Sequence, residues 1–232
     1  SVGCAGGMLK YETVEGAGAG EGESKYWKYE KPILLNESAV ASLTSVSGTF
    51  YAVYKKLYPH DMAADLADDL IVPLNVVRQG YRAVLETDAV CYEHTIHASD
   101  AELNKRARIT VQNIRGIVSN MDMLNVFKYG LFSLLFVSHK LFRVLVPLFL
   151  IGAFVSAAVG AQASSFFGWM LAAQAVFYAT GVIGHVADKK GKIKIINTVF
   201  FFCLSNLAIF VGIIRFFKGM KVVTWEPARV NT

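Results

Sequence analysis

Charge is what this sequence withholds over its second half. Residues 144–187 contain no Asp, Glu, Lys or Arg, and neither do residues 195–214. A hydrocarbon core about 30 Å thick needs about 20 apolar helical residues. The first run is long enough for two spans and the second for one. A charge at mid-membrane costs roughly 2.5–3.5 kcal/mol, so runs this long and this clean argue against a soluble domain. Cysteine is scarce too. Cys4, Cys91 and Cys203 stand far apart, with no CxxC pair and no zinc-ligand spacing. That excludes a disulfide scaffold or a zinc module and fits a reduced, cytoplasmic front half. The glycine-rich stretch at 16–24 lacks the Gly-Lys-Ser/Thr ending of a phosphate loop, so it reads as a solvated loop. No segment resembles a signal peptide. The chain does not open on Met, and a fragment or processed form is the expectation.

Hydrophobic residues make up 54% of the chain, its mean hydropathy is +0.41 and its formal net charge is +5. Spans are expected near 144–161, 165–186 and 195–215, with small polar residues at 160–165 turning the chain. Lys189, Lys190, Lys192 and Lys194 crowd the loop before the third span, which argues for a cytoplasmic loop. The front half then lies in the cytoplasm, at the plasma (inner) membrane. The tail resists this count. Three spans put Arg215, Lys218, Lys221 and Arg229 outside, against the same rule. Either a boundary is misplaced or one apolar segment only dips into the interface. Basic residues flanking apolar segments suit lipid head groups better than nucleic acid.

The front half alternates types. Residues 2–11 and 49–54 read as strands, as do 81–86 and 89–93. Residues 25–42 read as a helix with Tyr26, Tyr29, Ile33 and Val40 on one face. Residues 65–79 are acidic at the start and stop at Gly80, with regular helix from about Val72 because Pro73 intervenes. Residues 102–120 read as a basic helix. This is an α/β pattern over a domain at 1–122. Residues 123–143 are apolar but interrupted by Lys128, His139, Lys140 and Arg143. They read as an interfacial amphipathic helix, with a fourth span as the alternative. Residues 217–232 form a tail.

Two clusters carry candidate chemistry. Asp68 and Asp69 open a helix, where backbone N–H groups favour anions. Capping explains such a pair simply. The functional alternative is a general base, kept ionised by the helix end. Lys105, Arg106 and Arg108, with Arg115 further along, suit a diphosphate or anionic lipid, and equally a solvated face. Glu93, His94 and His97 read as loop residues rather than a second metal site. No metal ligands are assigned.

The ordered set of motifs resembles processive membrane glycosyltransferases of family two. These include cellulose synthase, hyaluronan synthase and, most closely, poly-β-1,6-N-acetylglucosamine synthase-like enzymes. Residues 2–7 (VGCAGG) resemble the strand after the metal motif. Residues 26–31 (YWKYEK) resemble "YWRYEK", and 48–53 (GTFYAV) the "G-x-x-YA-x-R" strand. Asp68-Asp69 with Gly80-Tyr81-Arg82 resembles "ED…GYR". Residues 105–109 fall where cellulose synthases carry Gln-x-x-Arg-Trp, and 138–143 (SHKLFR) resemble "SHKLLR".

That resemblance implies the C-terminal part of a GT-A-type domain followed by membrane helices. It implies an inverting transfer from a UDP-sugar donor to a polysaccharide acceptor at the bilayer, with polymer export. Asp69 would be the base and Asp68 would shape the site. Arg108, with Lys105 and Arg106, would hold the donor diphosphate, and Gly48 and Thr49 would line the sugar pocket. A divalent metal, Mg2+ or Mn2+, is expected, but no Asp-x-Asp occurs here, so its ligands and the nucleotide-binding part lie mostly outside this chain. The chain alone is expected to be inactive. Lys105 and Ile109 replace the motif Gln and Trp, and Gln112-x-x-Arg115 offers another frame. An accessory membrane subunit is compatible with this reading. The alternative of another class is a non-catalytic membrane transporter subunit or scaffold with a cytoplasmic binding domain.

Overall fold

The structure, a computed structural model, describes residues 1–12, 18–94, 99–187 and 194–220. Most of this is helical, around one small sheet. The strands are β1 (Val2–Glu12), β2 (Tyr51–Val53) and β3 (Arg82–His94). Their order is β2-β1-β3, with β1 antiparallel to β2 and parallel to β3. The two strands expected at 81–86 and 89–93 are one. The register jumps from Gly7↔Glu86 to Met8↔Val90, so β3 bulges there without ending. Gly7 lies at that irregularity. A Cβ on it would meet Phe50 at 2.5 Å and the Ala89 carbonyl at 2.8 Å.

Helix α1 (Gly18–Val40) begins inside the stretch expected as a glycine loop. Its inward face is not the expected one. Glu30, Leu34 and Glu37, spaced i, i+4 and i+7, are buried, whereas Tyr29 and Val40 are exposed. Helix α2 (Asp68–Arg78) divides its apolar residues between two cores. Val72 and Val76 join Cys4, Leu34, Leu43 and Ala83 over the sheet. Leu70 and Leu74 join Ile117, Met123, Phe132 and Phe136 on the other side. Thus α2 is wedged between the sheet and the elements that lead to the membrane.

Helix α3 (Ser99–Ser119) follows, then a 3-10 turn at Met121–Leu124 and two short helices, α4 (Val126–Tyr129) and α5 (Leu131–Phe136). The segment expected as one interfacial helix over 123–143 is therefore broken. Gly130, at φ +58, separates α4 from α5. From Leu131 the chain is helical through a wide π-turn at Val137–Leu141 into α6 (Phe142–Gly160). Helices α7 (Ser165–Ala187) and α8 (Lys194–Phe217) are the last of the described helices.

Three helical stretches are long and apolar enough to cross a membrane: Leu131–Gly160, Ser165–Gly184 and Ile196–Phe217. The first reaches further back than the expected start near 144. His139, Lys140 and Arg143 are accommodated in it because their partners are protein groups and not lipid. The lysine-rich loop and the basic tail from Lys221 lie outside the described residues, as does His97.

Candidate active site

The acidic pair opens α2, but neither aspartate caps it. Ala67 is the N-cap, without a side-chain bond, and Asp68 and Asp69 are the first two helical residues. Regular helix begins four residues before the expected Val72. Pro73 has no N–H, so the Asp69 carbonyl loses its intrahelical partner. The Val46 N–H donates to that carbonyl instead, at 2.9 Å. The substitution ties the loop after α1 to the first turn of α2.

That loop delivers Gly48 to the carboxylates. The place where a Gly48 Cβ would stand is 3.7 Å from Asp69 Oδ2. The Tyr51 hydroxyl donates to Asp68 Oδ2 at 2.7 Å, which leaves Asp69 as the less committed acid. Thr49 donates to Glu93 of β3, the opposite edge strand, at 3.4 Å. The Asp69 carboxyl is held above the usual aspartate range. Burial raises it most, and neighbouring Asp68 adds to that. The positive charge of Lys140 and the backbone N–H groups of Leu70 and Asp69 act in opposition. The helix start was expected to keep this group strongly acidic, and desolvation outweighs it.

Lys140 arrives from the π-turn, where its ammonium donates to Ser45. The same turn carries a buried ionic cluster. His139 faces Glu37 through Nδ1 at 2.6 Å and Glu30 through Nε2 at 2.8 Å. Arg143 donates to both Glu30 oxygens, at 2.8 and 3.3 Å. The Thr44 N–H donates to Glu37 at 3.1 Å. Burial alone would push the Glu30 carboxyl up, but the hydrogen bonds from His139 and Arg143 hold it well below the usual range. The YWKYEK and SHKLFR motifs therefore grip each other. Both motifs stand out in the sequence, but their spacing does not pair them. The available signal was His139, Lys140 and Arg143 within five positions of an apolar segment, which need anions within reach.

The structure brings Asp68, Asp69, Gly48 and Thr49 to one edge of the sheet. It does not bring the basic cluster to them through any ion pair among the described residues. Lys105 is exposed and Arg108 is half-buried on α3. The Arg106 guanidinium lies 4.7 Å from the centre of the Phe201 ring on α8. The α3 arginine that does reach the acidic segment is Arg115, which pairs with Asp65 at 2.6 Å. This is the other motif frame.

Between α1, α3, α6 and α8 lies a cavity of about 790 Å³, open towards Tyr29, Arg106, Arg143, Phe201, Ser205 and Asn206. Ser205 Oγ and Asn206 Oδ1 are buried with no hydrogen-bond partner. Among the described residues no three His, Cys, Asp or Glu side chains gather as a ligand set. Compared with models of known protein families and with curated proteins, the chain matches none.

Proposed function

We propose that this chain is the acceptor-side portion of a membrane-bound, inverting glycosyltransferase of GT-A type, acting on a UDP-sugar and a growing polysaccharide. The observation that carries the reading is Asp69. It is a desolvated carboxylate, bonded only to N–H groups of its own helix start while Tyr51 bonds Asp68, and approached by the bare backbone of Gly48. A carboxyl raised towards the working pH is a better base than a strongly acidic one. In the proposed step the acceptor hydroxyl gives its proton to Asp69. Its oxygen bonds the anomeric carbon, and the bond from that carbon to the diphosphate oxygen breaks, releasing UDP. The ordered motif resemblance supports the substrate class and the export of the polymer, and the largely apolar, aromatic-lined cavity between α1, α3, α6 and α8 opens beside the helix that follows the π-turn. Arg108, Lys105 and Arg106 as diphosphate ligands rest on the resemblance alone. Cytoplasmic placement at the plasma membrane rests on the basic loop.

The test is UDP-sugar turnover by the full-length protein in detergent, beside Asp69→Asn. Removing a general base is expected to lower turnover about 10²–10⁴-fold. The acidic limb of kcat/KM for the unmodified protein should lie above the ordinary aspartate value of about 3.9, because the base must be deprotonated and its pKa is raised. An unchanged rate in Asp69→Asn removes Asp69 as the base. A folded, membrane-inserted full-length protein that turns over no UDP-sugar leaves the non-catalytic scaffold.

A further inference from the structure

We propose that α8 lies obliquely at the bilayer interface on the side of the β-sheet, and that α6 and α7 alone cross the membrane. The inference concerns topology and stands apart from the glycosyltransferase reading.

Helix α6 leaves the sheet side where Arg143 pairs with Glu30. The chain turns after Gly160, and α7 runs back along α6, with the Phe154 and Tyr178 rings 6.3 Å apart. The end of α7 meets the start of α8. Gly181 packs against Cys203, and Gly184 against Ile196 and Phe200. Thus α8 starts near the sheet side. A helix crossing from there would carry its last turn about 30 Å away, to the opposite surface.

The last turns of α8 are instead fastened to α3. Arg215 donates to the Asn104 side chain at 2.8 Å. Arg115 donates to the Met220 carbonyl at 3.3 Å. At Gly212 the helices approach so closely that a Cβ would stand 2.8 Å from the Ala107 carbonyl oxygen. Helix α3 in turn belongs to the sheet-bearing half. Gly116 packs on Leu70 of α2, and Arg115 pairs with Asp65. A crossing α8 would draw α3, with Lys105, Arg106, Arg108 and Arg115, into hydrocarbon, where such charges are excluded.

The free face of α8 fits the interface. Ile214 and Phe217 are exposed along its last turns, and Arg215 and Lys218 stand at its end. An apolar face sinks to the boundary of head groups and acyl chains, while basic residues meet anionic head groups. This placement also removes the conflict between a basic C-terminal end and a three-span count. Arg215 and Lys218 return to the side that carries the sheet.

The test labels the full-length protein in its native membrane with an impermeant maleimide. Gln79→Cys marks the sheet side, Gln162→Cys the turn between α6 and α7, and Lys218→Cys and Phe217→Cys the end of α8. Labelling of positions 217 and 218 from the same side as 79 supports the proposal. Labelling from the same side as 162 overturns it. An epitope inserted after Gly219, read by antibody access, repeats the measurement without cysteine. Access on the side of position 162 overturns the proposal in that format as well.

Discussion

Two ionic clusters brace the sheet-bearing half, and their surroundings differ. In the first, Glu30, Glu37 and His139 are buried, with the half-buried Arg143 closing one end. In the second, Arg78 pairs with Asp122 at 2.7 Å, with side chains 36% and 43% exposed. The pair chemistry is the same. In the second cluster water already solvates both charges, so the pair adds little. In the first the charges are shut away from water and hold one another, with Thr44 as a further donor to Glu37, so none can be removed alone without stranding a partner. The buried cluster joins α1 to the helix entering the membrane. The exposed one trims the turn after α3.

The largest expected effect follows from that contrast. His139→Ala leaves Glu30 and Glu37 facing each other in a buried site and should cost about 3–5 kcal/mol, as breaking buried ion pairs does. Denaturant unfolding of the detergent-solubilised protein checks this. A loss no greater than that of Arg78→Ala would erase the distinction between the clusters.

Acid sharpens the same comparison. The Glu30 carboxyl has a folded-state pKa below its unfolded value of about 4.3. Its contribution to stability is therefore complete above the unfolded value and is lost as pH falls towards the lowered folded one. The stability gap between the unmodified protein and Glu30→Gln should be widest near neutral pH and narrow below about pH 4. A gap independent of pH would show that Glu30 acts through packing and not through charge.

An intermediate case lies between the two clusters. Arg115 and Asp65 pair with side chains 19% and 15% exposed. Asp65→Asn should cost about 1.5–3 kcal/mol, the range for hydrogen bonds to charged groups. If Asp65→Asn is as mild as an exposed pair, solvent exposure does not rank these bridges.

Much of the membrane half was legible because a water-soluble fold rarely keeps runs of that length free of charge. The acidic opening of α2 and its stop at Gly80, with φ +79, were legible for similar local reasons. The inward face of α1 was not. Hydrophobic periodicity selects Tyr29 and Val40, whereas the buried face carries Glu30 and Glu37. A glutamate reads as solvated until its partner is known, and the partner of these two is His139, about a hundred residues on. The residue at which regular α2 begins was missed for a related reason. Pro73 breaks a helix locally, and only the distant Val46 N–H repairs it. At the site, Asp69 and Gly48 are joined by a loop tied through that same bond. The choice between Arg108 and Arg115 depended on how α3 is rotated against Asp65, and motif spacing carries no information on that rotation.

The smallest expected effect completes the series. Arg78 donates to Asp122 and also to the Asn120 side chain, and the Tyr129 hydroxyl donates to Asp122 as well. Desolvation pushes Asp122 up, but the hydrogen bonds from Arg78 and Tyr129, joined by the charges of Arg78 and Lys128, together hold it below the usual range. Both pairing side chains are more than a third exposed, so solvent screens most of that shift. The coupling between Arg78 and Asp122 should be about 0–1 kcal/mol in a double-mutant cycle. It should also vanish at about 1 M salt, where the screening length falls to about 3 Å. The His139–Glu37 coupling, measured the same way, should survive that salt because ions do not reach a buried pair. Equal salt sensitivity of the two would mean that water enters the π-turn, and the join between α1 and the membrane helix would then rest on packing alone.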